Sequence, residues 1–187
     1  MTHVIYIPGL GDSYDSFRAR ALKWWPRLYG VSTELVSMNW STEPELAPKL
    51  QRLEAAVRRA TVDGKKVVLI GESVGAVISL ISNTSEVSKV VTVCGVASGA
   101  IHIGDSYARR AGALRPAVDE LRQHESAGTL PKNIQSYHAV FDEVVQKEHA
   151  VAKGANEHVL WSLGHMITIT LGLTVLSWVL VNEAKRP

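Results

Sequence analysis

The sequence predicts an α/β fold of three layers, in which a doubly wound, mainly parallel six-stranded sheet lies between helices on both faces. Short runs of β-branched residues alternate with longer segments of helical periodicity, which is typical of such a fold. The run KKVVLIG (65–71) is apolar after its lysines, as expected of a central strand that is buried on both faces. The 187 residues contain no repeat and no linker-like tract, so we place a single domain at residues 1–187.

The six predicted strands are short runs of Val, Ile and aromatic residues bounded by Gly, Pro or polar residues. They are HVIYIP (3–8), VSTELVSM (31–38), KKVVLIG (65–71), SKVVTVCG (88–95), NIQSYHAVFD (133–142) and EHVLWSLG (157–164). Right-handed crossovers between parallel strands place the loops that follow the strands at one edge of the sheet, where ligands bind in such folds. We therefore expect the functional residues on these loops.

Helical patterns fill the segments between the strands. The predicted helices are residues 12–25, 41–64, 73–83, 107–126 and 143–154. Pro26 interrupts the first pattern, and Pro116 divides the fourth or begins it anew. Gly64 is a typical helix end. The third helix is apolar nearly all round, which predicts that it is buried.

The last segment, residues 159–182, contains no Asp, Glu, Lys or Arg. A membrane span needs about 20 mostly apolar residues. Here, however, Thr170, Thr174 and Ser177 would give a helix one polar face. We therefore expect a buried or half-buried helix rather than a membrane anchor, and the I-T-I-T alternation at 167–170 also fits a strand.

Composition and charge argue against several classes of function. The 20 Lys and Arg residues are balanced by 18 Asp and Glu, and no basic block or aromatic-basic stripe suggests binding to nucleic acid. The single cysteine, Cys94, excludes an internal disulfide and fits a reducing, cytoplasmic setting. The N-terminus, MTHVIYIPGLGDS, is typical of a strand rather than of a signal peptide.

The segment LIGESVGAV (69–77) places the motif G-E-S-V-G where the third strand passes into a helix. A nucleophile elbow requires this strand, sharp turn and helix, with Ser73 in a strained conformation at the turn. Gly71 and Gly75 would avoid clashes there, and the start of the helix would bring N–H groups beside Ser73. The alternatives are a phosphate-binding turn and a turn whose glycines serve packing alone.

A serine nucleophile needs a base to take its proton, and histidine is the commonest side chain for proton transfer. Of the seven histidines, His165 directly follows the last strand, in SLGHM, at the edge of the sheet where Ser73 is expected. His102, in the loop after the fourth strand, is the competing candidate at that edge. We favour His165 because of its position and its place in the chain order Ser, Asp, His.

The base in turn needs an acid that orients it and stabilises its charged form. Asp142 ends the fifth strand in AVFDEVV, one strand away from His165. Glu143 is adjacent, and Asp105 follows the fourth strand, so both are alternatives. Asp142 also suits the N-cap of a helix, and the two roles are compatible.

Two places are expected to supply backbone N–H donors for a developing oxyanion. One is Val74, the residue after the nucleophile. The other is the loop PGLGDS (8–13) after the first strand, with Leu10 as the donor, because its glycines let the backbone approach a substrate. The loop also fits an ordinary glycine-rich turn in which Asp12 or Ser13 caps a helix.

Four segments together resemble the α/β-hydrolase superfamily. VIYIPGLGDS, VVLIGESVGAV, HAVFDEVV and SLGHM correspond, in order, to its oxyanion loop, nucleophile elbow, acid turn and histidine turn. The length and the lack of an inserted cap are similar to the compact retinoblastoma-binding-protein-like and YdeN-type serine hydrolases, which lack the superfamily's first two strands. Pro8 departs from the pattern, since many members have histidine before the glycine, and this changes the stiffness of the loop more than its donors.

The resemblance implies a minimal α/β-hydrolase fold without a large cap. It also implies hydrolysis of carboxyl esters through an acyl-enzyme, with no metal and no organic cofactor. The triad roles carry over to Ser73, Asp142 and His165, and the oxyanion roles to Leu10 and Val74.

The pocket should be walled by the loops after the first and fourth strands and by the residue after the histidine, with Tyr14, Ile101 and Met166 as candidates. Without a cap, small to medium acyl esters are the expected substrates. We expect no nucleic-acid or membrane partner and a monomer or small homo-oligomer. The alternatives are cleavage of lactones, thioesters or amides, an inactive hydrolase-fold protein that binds a partner, a membrane-anchored hydrolase and a small-ligand carrier.

Overall fold

The computed structural model describes residues 1–82 and 85–187. Within them, six strands form one parallel sheet in the order β2-β1-β3-β4-β5-β6. The strands are β1 (Thr2–Ile7), β2 (Ser32–Leu35), β3 (Lys66–Glu72), β4 (Val87–Val93), β5 (Ile134–Phe141) and β6 (Asn156–Leu163). Because the chain starts beside the centre, runs to one edge and then returns to build the other, the sheet is doubly wound, as predicted.

Helices cover both faces of this sheet. They are α1 (Asp15–Leu22), α2 (Trp25–Tyr29), α3 (Ala47–Val62), α4 (Gly75–Ile81), α5 (Asp105–Arg110), α6 (Leu114–Ala127), α7 (Lys147–Ala150), α8 (His165–Leu173) and α9 (Ser177–Lys185), and a 3₁₀ turn (Asp12–Tyr14) precedes α1. The core on one face takes residues from α3, α4, α6 and α7, and the core on the other face takes residues from α1, α2, α8 and α9.

The central strands are buried on both faces because apolar residues occupy both their odd-numbered and their even-numbered positions. In β3, Val67 and Leu69 belong to the core beneath α3 and α4, whereas Val68 and Ile70 belong to the core beneath α8 and α9. Burying each such side chain contributes about 1.5–3 kcal/mol relative to leaving it exposed. The end of β3 is therefore a firm support for the residues that follow it.

The predicted strands are confirmed, with ends that differ by a few residues. The prolines that divide the helical patterns both lie in the first turn of a new helix, Pro26 in α2 and Pro116 in α6, where a missing N–H costs nothing. The predicted third helix is α4, and its predicted end at residue 83 lies outside the described residues.

The helix predicted over residues 143–154 is wrong for most of its length, because only α7 is helical. The Asp142 carboxylate accepts hydrogen bonds from the N–H groups of Val144 and Val145, both at 2.8 Å. Such a bond from an aspartate side chain to the backbone two residues later closes a turn, which competes with helix formation.

The uncharged last segment begins in β6, and from residue 165 on it forms helix rather than strand, as α8 and α9. Both helices contribute buried residues to the core. No single helix in the described residues is long and apolar enough to cross a membrane, whereas α8 and α9 meet the length and composition criteria as a pair that is bent by 63°.

Candidate active site

Ser73 occupies the sharp turn between β3 and α4, with a backbone φ of 49°. Residues other than glycine seldom adopt this left-handed conformation, which costs about 1–3 kcal/mol and persists only where the surroundings enforce it. Hydrogen bonds enforce it here, from the Ser73 N–H to the Val93 carbonyl (3.0 Å) and from the Val96 N–H to the Ser73 carbonyl (2.9 Å). A Cβ at Gly75 would lie 2.3 Å from the Ile7 carbonyl oxygen, so α4 can begin this close to β1 only at a glycine.

The structure brings the three predicted triad side chains together. Nε2 of His165 lies 2.9 Å from Oγ of Ser73, and Nδ1 of His165 lies 2.8 Å from Oδ2 of Asp142. The three residues follow β3, β5 and β6, so the parallel sheet places them at its carboxyl edge. With Nδ1–H donated to Asp142, Nε2 is the ring nitrogen left to accept the serine proton.

Asp142 is held in its ionised form. Burial by itself would raise the pKa of this carboxyl, but the hydrogen bonds from His165 and from the N–H groups of Val145 and Val144 outweigh burial, and its pKa lies below the ordinary value. A charged carboxylate beside Nδ1 orients the ring and stabilises an imidazolium. The turn that Asp142 closes therefore also aims its second oxygen at His165.

The side chains that the sequence offered as alternatives to His165 and Asp142 do not join this set of hydrogen bonds. Glu143 accepts a hydrogen bond from the backbone N–H of His165 (3.0 Å) and not from its ring. His102 lines the same cavity as Ser73, but its side chain is exposed. Asp105 pairs with Arg115 at 2.5 Å and is 78% exposed. The geometry favours His165 and Asp142.

Both predicted oxyanion donors lie beside Ser73. Leu10 and Val74 line the same cavity as Ser73 and His165, and their N–H groups have no hydrogen-bond partner among residues 1–82 and 85–187. The neighbouring Gly9 packs directly on the serine, since a Cβ there would lie 2.6 Å from the Ser73 Cβ. Free N–H groups at this position are what a tetrahedral oxyanion requires.

A cavity of about 310 Å³ opens in front of Ser73, near the lower end of the roughly 300–1,000 Å³ that small-molecule sites span. All three predicted pocket residues line it, namely Tyr14, Ile101 and Met166. Most of the remaining lining residues are aliphatic, among them Val96, Ile103, Leu114, Val144 and Val145, and Arg110 also lines the cavity. The aliphatic part of this wall suits an acyl chain.

Cys94, which follows β4, lies beside the acid. Its sulfur, a carboxylate oxygen of Asp142 and a ring nitrogen of His165 are within 4.8 Å of one another, and these are side chains that can ligate metals. Burial, and then the nearby Asp142 carboxylate, raise the pKa of Cys94 to about 12. A metal would have to displace that thiol proton and the hydrogen bond at Nδ1, so the donor set fits a triad better than a metal centre.

A buried ion pair next to Ser73 was not predicted from the sequence. Glu72, the last residue of β3, is fully buried and binds the guanidinium of Arg18 and the hydroxyl of Tyr6. The available signal was the acid in the second position of G-E-S-V-G. A carboxylate that ends a buried apolar strand has to find a partner, because an unpaired buried charge is costly.

The fold has known counterparts, although no protein-family profile and no curated protein matches the sequence. The ydeN gene product from B. subtilis is 16% identical, with a TM-score of 0.64 over 98% of each chain. A protein from Xanthomonas campestris pv. campestris, described as a hydrolase of the α/β superfamily, is 19% identical, with a TM-score of 0.62 over 97% of each chain.

The esterase domain of a Rhodothermus marinus protein is also similar. It is 15% identical, with a TM-score of 0.59 over 98% of this chain and 86% of that domain. At these identities the likeness concerns the fold. The chain therefore has the fold of the α/β hydrolases, which confirms the fold implied by its four characteristic segments.

Proposed function

We propose that this protein is a serine hydrolase that cleaves carboxyl esters of small to medium acyl chains through an acyl-enzyme. The observation that carries the proposal is the continuous set of hydrogen bonds from the Ser73 hydroxyl through His165 to Asp142, at the wall of an apolar cavity. The fold by itself does not dictate a function. The proposal therefore rests on the arrangement of these side chains.

In the first half of the cycle, Nε2 of His165 takes the Oγ proton while Oγ of Ser73 attacks the ester carbonyl carbon. The imidazolium that forms is stabilised by the Asp142 carboxylate. The carbonyl electron pair moves onto the oxygen, which accepts hydrogen bonds from the N–H groups of Leu10 and Val74. When the pair returns, the C–O bond to the alcohol breaks and His165 donates its proton to the departing oxygen.

In the second half, water takes the place of the alcohol. Nε2 of His165 accepts a proton from the water as its oxygen attacks the acyl carbon on Ser73, and the same two N–H groups bind the second oxyanion. Collapse of this adduct breaks the bond to Oγ, which takes back the proton, and the carboxylic acid leaves. No cofactor is required by this sequence of steps.

The cavity sets the expected range of acyl chains. Its aliphatic wall favours an apolar acyl group, and its volume of about 310 Å³ leaves limited room beyond the reacting carbon. Ile101 and Met166 line this space. We expect acetate and butyrate esters to be cleaved faster than octanoate esters.

The test combines labelling and turnover. A fluorophosphonate probe should label the wild-type protein at Ser73, and p-nitrophenyl acetate and butyrate should be hydrolysed. Ser73→Ala should abolish both, whereas Ser126→Ala, at an exposed serine of α6, should change neither. Labelling that survives Ser73→Ala would overturn the proposal, and a folded wild-type protein that is neither labelled nor active would favour a non-catalytic binding protein.

A further inference from the structure

We propose that Glu72 and Arg18 are positioning residues that hold the Leu10 N–H at the place where the oxyanion forms. This inference rests on the proposed ester hydrolysis. It adds two residues that act on the reaction through the backbone of the loop after β1. The two side chains neither line the cavity nor contact Ser73 Oγ or His165.

The pair is deeply buried. Glu72 is 0% exposed and Arg18 is 3% exposed. The Glu72 carboxylate accepts hydrogen bonds from the Nε and Nη2 of Arg18, from the Tyr6 hydroxyl and from the Gly9 N–H (3.1 Å). A pair of this kind is weak grounds for net stability, because its desolvation offsets most of its attraction. The role of the pair therefore has to be sought in the backbone groups that it holds in place.

The remaining donors of Arg18 bind the loop and Asp15 at the start of α1. Nη1 donates to the Gly11 carbonyl at 3.0 Å and to Oδ1 of Asp15 at 3.2 Å, and Nη2 lies 3.4 Å from the Leu10 carbonyl. Together with the bond from the Gly9 N–H to Glu72, these contacts fix the peptide groups on both sides of the Gly9–Leu10 peptide. That peptide carries the Leu10 N–H, so its direction is set by its two neighbours.

The same carboxylate also connects the loop to the nucleophile. Glu72 precedes Ser73 in the chain, and Gly9 is packed so closely that a Cβ there would lie 2.6 Å from the Ser73 Cβ. The spacing between the serine and the Leu10 N–H is therefore fixed by one buried network. A displacement of about 1 Å in a catalytic arrangement can cost about 100-fold in rate.

The test is Glu72→Gln, with Glu183→Gln as the matched control. Glu183 is also a buried glutamate in an ion pair, with Lys89 at 2.8 Å, but it lies on α9 at the opposite end of the sheet. Turnover of p-nitrophenyl butyrate is measured below the unfolding temperature of each variant. The rate is divided by the fraction of protein that a fluorophosphonate probe labels, which corrects for inactive molecules.

For Glu72→Gln we expect kcat to fall about 10–100-fold, since loss of one oxyanion donor typically costs roughly 100–1,000-fold. KM should stay within threefold, and the affinity for butylboronic acid, which forms a tetrahedral adduct with serine, should fall by a factor similar to that of kcat. Glu183→Gln should retain kcat within twofold. Arg18→Lys, which keeps the charge but loses the fork to two carbonyls, provides a second variant if Glu72→Gln does not fold, with an expected loss of at least fivefold.

A kcat loss below fivefold in these variants would overturn the inference. An equal loss in Glu183→Gln, or a change confined to KM, would do the same. Failure of the proposed function is recognised separately, because wild-type protein without turnover and without labelling at Ser73 would overturn both.

Discussion

The two ends of the sheet each bury an ion pair, but the two pairs hold different parts of the chain. At the carboxyl end, Glu72 and Arg18 bind backbone groups of residues 9–11 in the candidate site. At the amino end, Nζ of Lys89 lies 2.8 Å from the Glu183 carboxylate and 2.9 Å from its carbonyl, so it fastens the last turn of α9 to β4. The chemistry of the pairs is similar, whereas their surroundings are not.

The consequence of a buried ion pair therefore depends on the backbone that it fixes. At the carboxyl end the fixed backbone borders a cavity and a strained serine. At the amino end it belongs to a helix end that packs on the core. We therefore expect substitutions at the carboxyl end to change turnover more than stability, and substitutions at the amino end to do the reverse.

The largest effect is expected from His165→Ala at the carboxyl end. Removal of the base should lower kcat/KM for p-nitrophenyl butyrate by roughly 10⁴-fold or more, because Ser73 then keeps its proton. The circular dichroism spectrum should be retained. The companion variant is His102→Ala, which removes the competing candidate; because His102 lines the cavity, its effect should be confined to KM, with kcat within threefold of wild type. Near-full activity of His165→Ala would assign the role of base to another group.

Lys89→Met should show the opposite behaviour at the amino end. It leaves the buried Glu183 carboxylate paired with Arg186 alone, at 2.8 Å. Removing one member of a buried pair typically costs about 3–5 kcal/mol in the free energy of unfolding, and we expect a loss at the lower end of that range because Arg186 still pairs with the carboxylate. Turnover per labelled active site should stay within twofold of wild type. Urea unfolding measures the free energy of unfolding, and ester hydrolysis measures turnover. A variant that loses turnover but no stability would contradict the structural role of the Lys89–Glu183 pair.

The smallest expected effect is the pH-dependent change in stability of Asp142→Asn, also at the carboxyl end. Because the folded-state pKa of Asp142 lies below its ordinary value of 3.8, ionisation contributes stability above that value, and the contribution is lost as pH falls through the lower folded pKa. The free energy of unfolding of the wild-type protein should therefore exceed that of the variant by about 1 kcal/mol at pH 7. The gap should narrow below pH 3.8.

Urea unfolding of both proteins from pH 7 to pH 2.5 measures this gap. The asparagine keeps an oxygen that can accept the N–H groups of Val144 and Val145, so the difference reports mainly on the charge. A gap that widens towards low pH would show that the folded protein destabilises the ionised carboxyl, which is incompatible with a lowered pKa of Asp142.

The fold and the triad candidates were predictable because their signals are local. β-branched runs mark each strand, and the residues that follow parallel strands meet at one edge, which is why Ser73, Asp142 and His165 could be named together. The buried pair was not predictable in the same way. Glu72 and Arg18 are 54 positions apart, and their contact depends on how α1 packs on the sheet.

One local prediction failed where a side chain binds the backbone, because the helical pattern after β5 yields to the turn closed by Asp142. The helix expected in the last segment is present from residue 165 on, but it is divided near Thr174, whose hydroxyl donates to the Thr170 carbonyl at 2.7 Å. Hydrophobic periodicity does not register such contacts, since they involve hydroxyl and carboxylate groups that also occur within helices.

The position of His165 has a consequence for the maturation of the chain during synthesis. Ser73 and its proposed proton acceptor are 92 positions apart, and the acceptor is the first residue of α8, which follows β6. A nascent polypeptide that has already formed the first four strands would carry Ser73 without any means of deprotonating it. Under the proposed mechanism, the reactive hydroxyl stays inert on the ribosome until β6 has joined the sheet.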